Sequence, residues 1–198
     1  LELLSKNHVY SHEMEHDACG VGLIASTEGK KSRAIVEYGI EALKAVWHRG
    51  AVDADGKTGD GAGIHVEIPK DFFIEKIEVT GHDYDNSEIC VGMIFLPRND
   101  YSSQENCKTI VESELTKNNF SIYGWRQVPV NPKVLGEKAL QTMPEIIQVL
   151  FKSNDPNLLD KNLERKIYET RKIIENKAFN ASLDNFYICS ISSKSIIY

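Results

Sequence analysis

Five of the fourteen residues from Gly50 to Gly63 are glycine. A stretch with so little side chain makes a poor helix or strand, because glycine loses the most backbone freedom on ordering and adds nothing to packing. It reads as a tight backbone path dividing two segments of different period. Before it, from Ser32, Val36, Ile40, Leu43 and Trp47 recur at helical spacing, with Ser32 placed to cap the start and Gly50 to end it. After it, Ile64, Val66 and Ile68 alternate with His65 and Glu67 in the manner of a half-buried strand that Pro69 closes.

Elsewhere, periodicity predicts a short buried strand over residues 19–25 and further strands over 88–96, 120–130 and 146–151. Ser102-Ser103-Gln104-Glu105 offers a capping box for a helix running to about Asn118, and residues 162–177 form another helix. Residues 186–190 and 195–198 read as a closing hairpin. Strand groups separated by helices indicate an α+β layered domain. Residues 1–18 are polar, hold His8, His12 and His16, and read as an extension preceding a domain over 19–198. The chain begins at Leu1 and stops at Tyr198 inside an expected strand, so a fragment of a longer protein is expected.

At 198 residues the chain can bury a core without disulfide or metal staples. Lysine and arginine number 23 against 29 aspartates and glutamates, a net charge of −6, which gives a nucleic-acid or anionic-membrane partner no electrostatic support. Cys19, Cys90, Cys107 and Cys189 are widely spaced, without a CxxC pair, which fits a reducing cytoplasm. No apolar run approaches the ~20 residues of a membrane span, and the amino end lacks a signal-peptide pattern.

Three motifs match in form and fail in context. Gly20-Val21-Gly22-Leu23-Ile24-Ala25 fits the dinucleotide fingerprint, but charged residues precede it and the glycines open an apolar run instead of ending one. Gly56-Lys57-Thr58 resembles the end of a phosphate loop, yet Ala51 stands where the leading glycine belongs and no helix start follows. His12-Glu13-Met14-Glu15-His16 satisfies the zinc-hydrolase pattern HExxH, with both histidines on one helical face and a glutamate as base. Its flanks lack the apolar surface that packs such a helix into a core, so a solvated segment is the expectation and a zinc hydrolase the weakest alternative.

Cys19 lies between small residues in Asp17-Ala18-Cys19-Gly20, where glycines let a ligand or another backbone approach. A lone free cysteine is ordinarily a small buried hydrophobe, and Cys90 and Cys189 read that way. What distinguishes Cys19 is its company. The run from Asp17 to Ala25, followed by Val46-Trp47-His48-Arg49-Gly50 and Thr58-Gly59-Asp60-Gly61-Ala62-Gly63-Ile64, closely resembles the amino-terminal class II glutamine amidotransferase domain of glutamate synthase large subunits. Gly124-Trp125-Arg126-Gln127-Val128-Pro129-Val130, Leu163-Glu164-Arg165-Lys166 and Phe186-Tyr187-Ile188-Cys189-Ser190 extend the likeness over nearly the whole chain from about residue 12.

That resemblance implies the four-layer αββα fold of amino-terminal nucleophile hydrolases, incomplete at its carboxyl end, with Cys19 as nucleophile once a leader is removed. The freed α-amine, with a reference pKa near 8, can serve as the base that activates the thiol. The thiolate then attacks the side-chain amide of L-glutamine, forming a thioester and releasing ammonia for glutamate synthesis from 2-oxoglutarate. Arg49 matches the arginine of the family's His-Arg-Gly motif and is expected to orient substrate or pin a loop, with capping of the preceding helix as the structural alternative. Gly50, Asp60 and Gly61 belong to the same set, Asp60 being expected to hold backbone amides in a turn. His48 is expected to pack or hydrogen-bond.

The resemblance implies no cofactor in this domain, and FMN with an iron–sulfur cluster elsewhere in the full-length protein. The implied partners are the other synthase domains and a small reductase subunit or ferredoxin. Two features depart from the family. While Ala18 stays joined to Cys19 the amine is an amide, and the Asn-Gly pair of the family's oxyanion hole is missing from this sequence. The fragment is therefore expected to turn over glutamine poorly, since one oxyanion donor is worth about a hundredfold to a thousandfold in rate. Other class II amidotransferases share Cys-Gly and remain an alternative, as does a non-catalytic regulatory or assembly module that keeps residues 1–18.

Overall fold

The computed structural model describes residues 20–47 and 50–198. The chain divides into two compact units, residues 1–62 and 63–198.

The first unit contains α1 (Arg33–Ala45) and the glycine loop. Ser32 occupies the cap position of α1 in extended conformation, but its side chain makes no capping hydrogen bond, and the helix ends at Ala45 with Val46 as its C-cap, short of Gly50. Val36, Ile40 and Leu43 lie half-buried along one face, as their spacing requires. The strand expected from residue 19 to 25 is not formed over 20–25. Val21 and Leu23 are 92% and 88% exposed there. An apolar run becomes a strand only when its main chain has a pairing partner, and no described residue pairs with it. Residues 1–18 and Cys19 lie outside the described residues.

The second unit is built on a four-stranded antiparallel sheet of β2 (Cys90–Leu96), β3 (Phe120–Gln127), β4 (Glu145–Ser153) and β5 (Tyr187–Ser192), in the order β3-β4-β2-β5. A second sheet pairs β1 (His65–Glu67) with β6 (Ser195–Ile197). The helices of this unit are α2 (Lys70–Val79), α3 (Tyr101–Lys117), the short α4 (Glu137–Thr142) and α5 (Asp160–Asn180). The α+β class therefore holds, with every described strand pair antiparallel.

Both faces of the large sheet are covered. Strand alternation sends Cys90, Ile94, Leu96, Ile147, Val149 and Phe151 to one side, where Cys107, Val111 and Leu115 of α3 and Leu163, Ile167 and Ile174 of α5 meet them. Spacings of four residues in α3 and of four and seven in α5 put these side chains on one stripe per helix. Val91, Met93 and Leu150 face the other side, against Phe73 and Ile77 of α2, Ile68, and Ile196 of β6. Gly92 has to be glycine at the sheet centre, because a Cβ there would stand 2.7 Å from Val149 Cγ1.

Several elements depart from their sequence expectations, most by one to three residues at an end. The start of α3 is capped by Asp100, whose carboxylate accepts from Ser103 N at 3.0 Å and the Ser103 hydroxyl at 2.7 Å, so the cap lies before the Ser102 box. A short side chain with two acceptor oxygens serves the first free amides better than a mid-turn serine. β3 ends at Gln127, short of Val130. The expected closing hairpin does not form: β5 joins the large sheet beside β2, whereas β6 pairs with β1. The link between them turns away because the Ser192 hydroxyl accepts from the amides of Lys194 and Ser195, while Glu164 of α5 holds the Ser193 amide at 2.7 Å.

Candidate functional site

The glycine loop is tied together by its own aspartates. Val52 and Gly59 form a single antiparallel bridge, Asp53 N donates to Thr58 O at 2.7 Å, and Gly56 N donates to Asp53 O at 2.9 Å. At the tip, Asp55 Oδ1 accepts from the amides of Lys57 and Thr58 at 2.9 and 2.7 Å, and Oδ2 accepts from the Thr58 hydroxyl at 2.5 Å. Gly56 supplies the left-handed turn residue at φ 67°.

Asp60 closes the base of the loop. Its Oδ2 accepts from Ala51 N at 2.8 Å, and its own amide donates to Ala51 O at 3.3 Å. Gly50 donates to Trp47 O at 3.0 Å, and a Cβ at Gly50 would lie 3.7 Å from Asp60 Oδ2. Gly50 and Asp60 are thus neighbours across the loop base, and Gly61 follows with open space where a Cβ would go. An acceptor-only carboxylate bound to a main-chain amide positions a loop and leaves one oxygen available to another donor. Cys19, His48 and Arg49 lie outside the described residues, as does the His12 to His16 motif.

Past the loop, the chain locks into the second unit. Ile64 and Tyr198 exchange both main-chain hydrogen bonds, at 2.8 and 2.9 Å, and a Cβ on Gly63 would stand 2.9 Å from Tyr198 O. The three described cysteines are free thiols with little thiolate character. Burial raises Cys90 and Cys189, and pushes Cys107 up to about 11. Cys107 faces the sheet core despite the polar sequence around it.

No helix follows Gly56-Lys57-Thr58, whose chain runs irregularly into β1, and α1 starts well after Ala25, so neither phosphate motif has its required context. Among the described residues no group of three histidine, cysteine, aspartate or glutamate side chains could hold a metal ion, and no helix is long and apolar enough to cross a membrane.

Two residues with clear positional roles were missed as individuals by sequence reasoning. Glu164 stands beside the inward-facing Leu163 and Ile167 and accepts three hydrogen bonds from Ser192 and Ser193. Gln148 occupies an inward position between Ile146 and Leu150 and is fully buried. A polar residue where alternation demands an apolar one was the available signal.

The fold and loop define a class: an α+β domain of antiparallel sheets with an aspartate-tied glycine loop carrying the Gly50 to Asp60 contact. Residues 19–198 match the glutamine amidotransferases class-II, and the chain belongs to that family. It is 51% identical over 195 residues to the glutamate synthase (NADPH) large chain of Azospirillum brasilense, covering 98% of this chain and 13% of that one. It is 39% identical over 186 residues to the ferredoxin-dependent glutamate synthase 1 of Arabidopsis thaliana, chloroplastic/mitochondrial, covering 93% and 11%. With the ferredoxin-dependent glutamate synthase 2 of a Synechocystis strain the identity is 37% over 185 residues, covering 93% and 12%. The chain thus spans roughly an eighth of the length of these relatives.

Proposed function

We propose that this chain is the glutaminase portion of a glutamate synthase large subunit, with Cys19 as its nucleophile. The observation that carries the proposal is the family match beginning at Cys19 itself, combined with 51% identity to a glutamate synthase large chain across nearly all of this sequence. The helical layer on one face of the large sheet and the second sheet on the other support a four-layer αββα arrangement.

Once residues 1–18 are removed, the α-amine of Cys19 takes the thiol proton and the thiolate attacks the side-chain amide carbon of glutamine. The carbon–nitrogen bond breaks, the amine proton passes to the departing nitrogen, and ammonia leaves a γ-glutamyl thioester that water hydrolyses to glutamate. Arg49 orients the substrate or the loop through its guanidinium fork. Asp60 fixes the amide of Ala51, two residues after Arg49, and Gly50 and Gly61 keep the backbone close and unobstructed. The ammonia serves glutamate formation from 2-oxoglutarate in the rest of the polypeptide.

FMN and an iron–sulfur cluster belong to those other domains. The described donor set does not fit a cluster, since no three ligating side chains converge and the described thiols are held protonated by burial. The reductant enters through a small reductase subunit or ferredoxin, as the names of the relatives suggest. A cytoplasmic setting accords with the free thiols.

The test is intact mass and amino-terminal sequencing of the large subunit expressed from its full-length gene, followed by glutaminase assay with a Cys19→Ser control. A Cys19 amino terminus with activity lost in Cys19→Ser is expected. Well-folded protein that keeps its leader overturns the nucleophile assignment and favours a regulatory module.

A further inference from the structure

Two half-buried cations in the second unit share one aromatic ring and have no acidic partner among the described residues. Arg126 of β3 places Cζ 5.1 Å from the centroid of Phe72, and Lys76 of α2 places Nζ 5.0 Å from the same centroid. The charges are therefore no more than about 10 Å apart. Several other partly buried cations of this unit are paired with carboxylates: Lys152 with Asp85, Arg171 with Glu175, and Lys108 with Glu105.

Arg126 is also held in place. Its Nη1 donates to Gln148 Oε1 at 2.8 Å, and Gln148, fully buried, donates through Nε2 to the Tyr198 hydroxyl at 3.3 Å. A buried amide on one nitrogen and the Phe72 ring 5.1 Å from Cζ hold the guanidinium, while Nε and Nη2 have no acceptor among the described residues. A fork ordered in advance loses little freedom when it closes on a planar anion. A cation partly removed from water and left unpaired is otherwise a net cost. One step further along the same sheet face stand Val128 and Ile146, joined by a main-chain hydrogen bond at 3.0 Å.

We propose that Arg126, anchored by Gln148 and assisted by Lys76, forms a carboxylate-binding site whose ligand carries a short apolar body over Phe72, Val128 and Ile146. This does not depend on the glutaminase reading. The carboxylate belongs either to a free organic acid or to an acidic side chain of the longer polypeptide, and one experiment separates the two.

The rate at which phenylglyoxal modifies Arg126 is followed by mass spectrometry at fixed ionic strength, with exposed Arg165 as internal reference. For the 198-residue chain, saturating glutarate is expected to slow Arg126 modification at least fivefold and leave Arg165 unchanged. Its neutral diamide, glutaramide, is expected to protect neither. Lys76→Gln removes a side chain outside the core and is expected to weaken the glutarate protection severalfold. The site is refuted if glutarate leaves the Arg126 rate unchanged, if glutaramide protects equally, or if Lys76→Gln protects like the parent chain. In the full-length polypeptide, protection of Arg126 without glutarate identifies an internal acidic side chain, and protection only with glutarate identifies a free acid.

Discussion

The carboxylate of Glu164 holds Ser193 by both of its hydrogen-bond donors: Oε1 accepts from the Ser193 amide at 2.7 Å and from its hydroxyl at 2.8 Å. Ser193 is 1% exposed, so no water replaces that carboxylate easily. The contact decides where the chain leaves the large sheet. With β5 ending at Ser192 and β6 beginning at Ser195, the corner at Ser193 sends β6 to pair with β1.

Glu164→Ala is therefore expected to destabilise the chain by about 1–3 kcal/mol, the usual cost of leaving buried donors unpaired. Glu164→Gln keeps one acceptor oxygen and should lose less. Urea unfolding reads both, and a lowered midpoint at unchanged slope is the expected pattern. Equal stability of Glu164→Ala and the parent would show that the corner is held by its turn hydrogen bonds alone.

A second contact joins two helices. Glu114 of α3, buried against α5, accepts from Lys177 Nζ at 2.6 Å and from Lys117 Nζ at 2.9 Å. The Lys177 hydrogen bond, followed by that of Lys117, holds the Glu114 carboxyl below its ordinary value of 4.5. The folded state thus binds this proton less readily than the unfolded chain. Its stabilising contribution is complete above about pH 4.5 and is lost as pH falls through the lower folded value. Lys177→Met should flatten the acid limb of a stability-against-pH curve while changing the neutral limb by a constant amount. An acid limb of unchanged steepness in Lys177→Met would mean that other carboxylates dominate acid unfolding.

Gly92 offers a steric test of the sheet core. A methyl group there would stand 2.7 Å from Val149 Cγ1 and 3.5 Å from Ile191 Cδ1, on a strand paired on both sides. Overpacking of this kind costs roughly 1–3 kcal/mol. Gly92→Ala is expected to lower the urea midpoint accordingly, and Gly92→Ala with Val149→Ala should recover part of the loss by opening the space that the new methyl needs.

Much of this architecture was legible in the sequence because hydrophobic period carries it. The alternation of Ile64, Val66 and Ile68 and the helical spacing through residues 162–177 both correspond to formed elements, β1 and α5. Local period says nothing about pairing, however. The hairpin expected from residues 186–198 failed because its turn chemistry is overridden by Glu164, which is more than twenty residues distant in sequence. α2 went unnoticed behind Pro69, since Asp71, Glu75 and Lys76 dilute an apolar stripe that only Phe73 and Ile77 bury fully. The glycine loop was visible as a break in period, but its ties from Asp55 and Asp60 were readable only as turn-forming residue types.

Asp60 connects that loop to the proposed chemistry. Its Oδ2 bond to Ala51 N fixes the backbone two residues after Arg49, and it acts at the loop base together with the Val52 to Gly59 bridge and the Asp60 amide bond to Ala51 O. A charge-assisted hydrogen bond to a main-chain amide contributes about 1.5–3 kcal/mol, which corresponds to roughly tenfold to a hundredfold if it is spent on placing Arg49 for the substrate. In the processed full-length protein, Asp60→Ala is expected to lower glutaminase kcat/KM by at least tenfold, while Asp60→Asn, which keeps an acceptor oxygen, loses less. In the 198-residue chain the same Asp60→Ala substitution should speed hydrogen exchange at the Ala51 amide, and this readout is independent of activity. Faster exchange with unchanged kcat/KM would leave Asp60 as a loop clasp and remove it from the glutamine site.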